Sequence, residues 1–353
     1  MSLGIDYSSA ASLGGIGHYT RSIVDAMRTA RRGVCVLSVR GRVPVVSRHL
    51  LLPLEARMRG VDVLLCPDGH IPLGWTGKSV VVVHDLATYE HPEWFPGVRS
   101  RWSAEWLYPR SLKRADAIVA VSEATRQQIA RVFPGLEKKT RVVYHGVSVP
   151  VQETHLALGA RESETIVFIG TLEPRKNLIT AMRAFGVFLH AHPDRAATAR
   201  FVLAGQKGWG AEPILAAMEE INAAWRSRAG ANVIVWNGPV TEQEKWSLLR
   251  NAAALLFPSL WEGFGLPVLE AMAVGTPVIT SDRGALAEVA GDAAMYVDPD
   301  DIGQIALAIA QAVLMPEAMQ ELREAGRVRA STFTWERAAE ETVRVVDDAM
   351  RVS

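Results

Sequence analysis

The chain has 353 residues, 49% of them hydrophobic and 22% charged, with 38 Lys+Arg against 38 Asp+Glu. Such a composition excludes a disordered chain, suits two domains that each bury a core, and argues against a general nucleic-acid binder. The charge is uneven along the chain: residues 1–150 hold 20 Lys+Arg against 12 Asp+Glu, a surplus of 8, and residues 151–353 hold 18 against 26, a deficit of 8. The first half should therefore attract an anion or an anionic surface, unless its charges form an ordinary solvated face.

The two cysteines, Cys35 and Cys66, lie in apolar runs and read as reduced, buried thiols with no metal-ligand spacing around them. Met1–Asp6 is too short and lacks the basic start of a signal peptide. No apolar run approaches the ~20 residues that span a bilayer. A cytoplasmic protein is expected, with any membrane contact peripheral.

Taken in chain order, Val34–Val39, Val61–Cys66, Val80–His84, Ala117–Ser122 and Arg141–Tyr144 read as buried strands, with helix-period segments such as His18–Arg28 and Glu123–Val132 between them. The pattern lapses over Val149–Ala160 and then resumes. Thr165–Gly170, Arg200–Ala204, Asn232–Trp236, Ala253–Phe257, Pro277–Thr280 and Ala294–Val297 are the later strands. Leu178–His190, Glu242–Asn251, Leu266–Ala273 and Ile302–Met315 are helices, and a last helix over Phe333–Arg351 carries Thr334 as its N-cap. Strand–helix alternation of this kind predicts an α/β fold of two doubly wound domains. Ligands of such sheets bind beyond the carboxyl ends of the strands, and between two such domains the default site is a cleft.

Six segments stand out. Gly14, Gly15 and Gly17 precede the first helix and could bring backbone N–H groups against phosphate, although an ordinary loop-to-helix turn explains them equally. The Gly-x-Gly-x-x-Gly dinucleotide spacing is missing there. His84 and Asp85 end a strongly apolar strand, where a His can face a ligand or simply form a His–Asp turn. Glu93–Arg114 mixes Trp94, Phe95, Trp102, Trp106 and Tyr108 with Arg99, Arg101, Arg110, Lys113 and Arg114, which suits a membrane interface or a lipid-diphosphate acceptor, or else a helix with a packed aromatic face. Ser122 and Glu123 read as the cap and first turn of a helix.

Gly170-Thr-Leu-Glu-Pro-Arg-Lys-Asn-Leu places Arg175 and Lys176 at a strand-to-helix turn, where adjacent cations can clamp a diphosphate. In isolation a solvated pair would be the better reading. Finally, Glu262 and Glu270 flank a turn with Gly263 and Gly265 and the helix opening at Leu266-Pro267. One carboxylate can face a sugar and the other accept from ribose hydroxyls, or Glu270 is an ordinary exposed helix residue.

Glu262 and Glu270, separated by Gly-Phe-Gly-Leu-Pro-Val-Leu and followed by Ala271, Met272 and Ala273, closely resemble the signature of the retaining glycosyltransferases of family 4. That resemblance covers nearly the whole chain and implies the GT-B fold, two Rossmann-like domains facing a central cleft. Residues 1–150 would bind acceptor, residues 160–333 a nucleotide-sugar donor, and the helix 334–352 would pack back on the first domain. It implies catalytic roles for His84, Arg175, Lys176 and Glu262. Gly15, Gly17, Gly263, Phe264, Gly265, Leu266 and Glu270 would line the donor together with the two cations, and Asp85, Ser122 and Glu123 would lie on the acceptor side.

Similarity to bacterial mannosyl- and rhamnosyltransferases of polysaccharide assembly favours GDP-mannose as donor and a glycan or lipid-linked saccharide as acceptor, with retention at the anomeric carbon. Arg175 and Lys176 would stand in for a metal at the diphosphate, so no metal or cofactor is expected. A nucleotide-sugar epimerase of the same architecture and a non-catalytic sugar-nucleotide binder remain as rivals; a nicotinamide-dependent dehydrogenase is disfavoured.

Overall fold

A computed structural model describes residues 2–12, 14–30, 33–38, 47–95, 103–150 and 164–351. Most of the expected linker over Val149–Ala160, and Arg99, Arg101 and Trp102 of the aromatic–basic segment, lie outside the described residues. The chain forms two compact units, one of Met1–Gly146 with Phe333–Ser353 and one of Val147–Thr332.

The first unit is built on a parallel sheet of β1 (Leu3–Asp6), β2 (Val34–Leu37), β3 (Val63–Cys66), β4 (Lys78–Val83), β5 (Ala117–Ala120) and β6 (Thr140–Val142), in the order β2-β1-β3-β4-β5-β6. β3 and β5 are buried at every residue and β4 at every residue after Lys78. Their continuous apolar runs are what strands covered on both faces require. α1 (Gly15–Ala30), α2 (Leu52–Met58) and α3 (Glu123–Val132) belong to this unit. Periodicity had not marked β1 as a strand. It is only four residues long and Gly4 breaks its apolar run, yet a Cβ on Gly4 would lie 2.7 Å from Val61 Cγ1, so the glycine is what admits the strand.

The second unit holds β7 (Thr165–Ile169), β8 (Arg200–Ala204), β9 (Ile234–Gly238), β10 (Ala254–Phe257), β11 (Val278–Thr280) and β12 (Met295–Tyr296), parallel and ordered β12-β11-β10-β7-β8-β9. Its helices include α4 (Leu178–Ala191), α5 (Ala211–Ala229), α6 (Glu242–Asn251), α7 (Leu266–Ala273), α8 (Ile302–Leu314) and α9 (Gln320–Ser331). α5 and α9 were not anticipated. α5 buries only Ala211, Ile214, Asn222 and Trp225 along its length, too few apolar residues to print a stripe. Its buried Asn222 donates to the Ile234 carbonyl and accepts from the Ile234 N–H, both at 2.9 Å. That reciprocal pair lies at the start of β9, which begins at Ile234, two residues later than periodicity suggested.

The final helix, α10 (Trp335–Arg351), belongs to the first unit. Trp335, Ala338, Ala339, Thr342, Val345, Val346 and Ala349 make one buried face at helical spacing, and Thr334 accepts from the Arg337 N–H at 3.1 Å as its cap. Gly146 lies against its start: a Cβ there would sit 2.1 Å from the Trp335 nitrogen.

Candidate active site

In the second unit, β7 and β10 are neighbours, and the loops beyond their carboxyl ends meet. After β7 the chain turns through Pro174–Lys176 into Asn177, whose φ of 57° makes it the one non-glycine residue at positive φ among the described residues. Asn tolerates that left-handed geometry, and here its amide donates to the Pro299 carbonyl at 2.7 Å and the Pro258 carbonyl at 3.3 Å. The Arg175 carbonyl accepts from the Leu260 N–H at 2.9 Å, tying the two loops together.

These loops bring four charged side chains into one buried cluster. Arg175 Nη1 donates to Glu262 Oε2 at 3.0 Å and to the Trp261 carbonyl at 2.8 Å, and Nη2 donates to Glu173 Oε1 at 2.7 Å. Lys176 Nζ donates to the other oxygen of Glu262 at 2.5 Å and lies 5.1 Å from the centre of the Phe257 ring. Side-chain exposures of 13% for Arg175, 10% for Lys176 and 9% for Glu262 rule out a solvated surface pair. Burial pushes the Glu262 carboxyl up, but Arg175 and Lys176 outweigh it and hold the group below its ordinary value. Burial, then Arg175, lowers the Lys176 ammonium. Burial raises Glu173. The Glu262 backbone is held as well: Ala285 N donates to its carbonyl at 2.9 Å, and Gly284 approaches so closely that a Cβ would lie 2.2 Å from that oxygen.

Gly263, Phe264 and Gly265 are buried and lead into α7, with Gly265 at φ 98° as its N-cap and Leu266 half-buried as its first residue. Glu270, on α7, is only 5% exposed, which overturns its reading as an ordinary surface residue. Its Oε1 accepts from Lys245 Nζ of α6 at 2.6 Å. Sequence reasoning missed Glu173, Asn177 and Lys245. Glu173 and Asn177 lay inside the quoted motif but were overshadowed by its cations, and Lys245 belongs to no motif.

In the first unit, His84 follows β4. Its Nε2 lies 2.8 Å from the Pro67 carbonyl, so this nitrogen carries the proton and donates, leaving Nδ1 as an acceptor. Its ring packs edge-on to Tyr19 at 4.9 Å and to His145 at 5.5 Å, and Trp335 stacks on His145 at 5.8 Å. Burial lowers the pKa of His84 and drives that of His145 far down, so both are neutral. Tyr19, His145 and Trp335 were not anticipated.

Asp85 accepts from the Ala87 N–H at 3.1 Å. Ser122 caps α3 by accepting from the Thr125 N–H at 3.0 Å, and Glu123 pairs with Arg126 on the same helix. Gly15 is exposed at the start of α1; at Gly17 a Cβ would lie 1.9 Å from the Ser12 carbonyl oxygen, so close backbone packing alone demands glycine there. A further unanticipated cluster joins the carboxyl ends of β1 and β3: Arg48 Nε donates to Asp6 at 2.8 Å, and its two Nη atoms donate to Asp68 at 2.6 Å each.

Residues 152–329 match the family described as glycosyl transferases group 1, and residues 48–149 match glycosyltransferase family 4. The chain belongs to this family of glycosyltransferases. It is 29% identical over 280 residues to the O-antigen chain mannosyltransferase B of Escherichia coli, covering 75% of this chain and 69% of that protein. To the O-antigen chain mannosyltransferase RfbU of Salmonella typhimurium it is 25% identical over 257 residues, covering 72% of this chain and 66% of that one. The match to glycogen synthase of Mycobacterium tuberculosis, at 28% identity, spans 63% of the relative. Among solved structures, sucrose-phosphate synthase from Thermosynechococcus elongatus superposes with a TM-score of 0.76 at 18% identity over 100% of both chains. The lipopolysaccharide glycosyltransferase WaaG gives 0.72 at 13% identity over 98% of this chain and 99% of that one. The fold of this glycosyltransferase is therefore GT-B.

Glu262→Gln keeps the side chain's shape but leaves two buried cations without their shared anion. A loss of about 3–5 kcal/mol is expected by urea denaturation, and adding Lys176→Met should restore part of it. Strictly additive losses in the double variant would show that the pair is not coupled.

Proposed function

We propose that this glycosyltransferase moves mannose, with retention, from GDP-mannose to a glycan or a lipid-linked saccharide. The observation that carries this reading is the buried Arg175–Lys176–Glu262 cluster beyond the carboxyl ends of β7 and β10, where doubly wound sheets take their ligands. The choice of mannose rests on the printed names of the O-antigen mannosyltransferase relatives.

Arg175 and Lys176 stabilise the diphosphate as its bond to the anomeric carbon breaks, and they take the place of a metal there. The acceptor hydroxyl attacks the same face, and its proton leaves with a phosphate oxygen. Glu262 keeps the two cations aimed and faces the sugar. The start of α7 offers backbone N–H groups to phosphate, and Glu270 accepts from the ribose hydroxyls. His84, neutral and with Nδ1 free to accept, receives a substrate hydroxyl's hydrogen bond rather than donating one.

Peripheral contact with an anionic membrane is a second part of the proposal, and one observation favours it. Leu50, Leu54 and Met58 stand 56%, 52% and 88% exposed, four residues apart along α2 and the turn before it. Arg57 and Arg59 lie beside them in the chain half with the positive surplus. The earlier candidate, the aromatic–basic segment, offers Trp106 at 47% exposure with Arg110 over its ring at 5.7 Å. Among the described residues no helix is long and apolar enough to cross a membrane.

In a thermal-shift panel of GDP-, UDP-, dTDP- and ADP-sugars, GDP-mannose should raise the melting temperature most. Lys176→Ala and Glu270→Ala should each lower transfer by at least about a hundredfold while the protein stays folded, two to three orders being typical of a lost charge-stabilising group. Wild-type turnover in both variants would sink the assignment. GDP released without acceptor would favour an epimerase, and binding without release under any condition a non-catalytic binder. For the membrane, wild type should co-float with vesicles containing phosphatidylglycerol, and a Leu54→Glu, Met58→Glu variant should not; equal flotation of both would remove α2 from the interface.

A further inference from the structure

Glu270 is a carboxylate almost wholly removed from water, and such a group persists as an anion only beside a compensating cation. Lys245 supplies it. Its ammonium lies 2.6 Å from Glu270 Oε1 and 2.8 Å from Glu242 Oε2, with only 10% of the Lys245 side chain exposed. The neighbours differ in kind: Glu242 is 65% exposed, whereas Glu270 is 7% exposed at its side chain. Burial pushes the Lys245 ammonium down, but Glu270 and Glu242 more than offset this and keep it charged.

Local structure explains how Lys245 reaches that place. Thr241 and Glu244 close a reciprocal capping box at the start of α6, which fixes the phase of the helix's first turn. In that phase Lys245 and Trp246 point inward, 8% and 2% exposed over the whole residue, while Glu242 and Glu244 point to water. The stem of Lys245 is therefore packed, and its head meets Glu270 on α7.

We propose that Lys245 is a positioning residue for the donor, holding one oxygen of Glu270 so that the other is presented to the two hydroxyls of the nucleotide ribose. This rests on the reading of Glu270 as the ribose acceptor. A carboxylate offers about four lone-pair sites, and the ammonium occupies one on Oε1 while fixing the plane of the group. Oε2 then faces a vicinal diol with its orientation already set, which lowers the ordering cost of binding. Without the ammonium, nothing among the contacts described fixes the plane of the Glu270 carboxyl, and the acceptor is no longer presented in one orientation.

The test is calorimetric binding of GDP, 2′-deoxy-GDP and 3′-deoxy-GDP to wild type, Lys245→Met, Lys245→Gln, Lys245→Arg, Glu270→Ala and the Lys245→Met, Glu270→Ala double variant, with a melting curve for each. Wild type should prefer GDP over either deoxy analogue by about tenfold, the worth of a hydrogen bond to a charged group. Lys245→Met and Lys245→Gln should bring that ratio close to one, Lys245→Arg should keep most of it, and the double variant should match Glu270→Ala alone. A merely structural lysine would lower the melting temperature and leave the ratio unchanged, and that result overturns the inference. If Glu270→Ala itself keeps the ratio, or wild type does not bind GDP, the underlying reading fails instead, and the inference falls with it.

Discussion

The phosphate chemistry proposed for the second unit depends on one shared anion, the Glu262 carboxylate that accepts from Arg175 through one oxygen and Lys176 through the other. Two cations this deeply buried would repel each other and lose their hydration without it. With Glu173 added, the cluster holds two acids and two bases and is formally neutral. The proposed donor diphosphate would therefore not meet a bare positive patch. On the proposed reading it would compete with carboxylates for donors already aimed, and the cations would need little reorganisation to receive it, which is the condition under which fixed charge is most useful to a reaction. The surrounding backbone serves the same end. Asn177 in its left-handed turn, the Arg175–Leu260 bond and the close approach of Gly284 to Glu262 all fix the two loops that carry the charges.

The first unit is organised by different forces. His84 packs against Tyr19 and His145, and Trp335 stacks on His145 behind them, a buried surrounding that disfavours charge on imidazole. Trp335 comes from the last helix, so α10 backs the two rings, Tyr19 and His145, that pack on His84. Ser122, Glu123 and Asp85 have local duties as caps or helix-surface ion pairs, and their carboxylates and hydroxyl are accounted for by these contacts.

Much of this was legible in the sequence, and the exceptions have physical causes. Buried parallel strands announce themselves as unbroken apolar runs, which is why β3, β4, β5, β7, β8 and β10 were placed within a residue or two. β1 escaped because a strand of four residues with a central glycine carries no periodic signal. α5 escaped because helices that bury few side chains lack an apolar stripe. The Arg175–Lys176 and Glu262–Glu270 segments stood out through their resemblance to a family signature, whereas their residue types alone left a solvated cation pair and an exposed helix glutamate open. Lys245 and His145 were invisible because their partners lie 25 residues away on Glu270 and at Tyr19 and Trp335, and only folding brings them together.

The central claim is that the Glu262-held cations receive the second phosphate of a nucleoside diphosphate. It is tested most directly by comparing calorimetric affinities for GDP and GMP in wild type and Lys176→Met. The account predicts that wild type binds GDP at least about tenfold more tightly than GMP, as a charge-assisted contact to the added phosphate requires, and that the variant loses most of that difference. An undiminished GDP preference in Lys176→Met would contradict it.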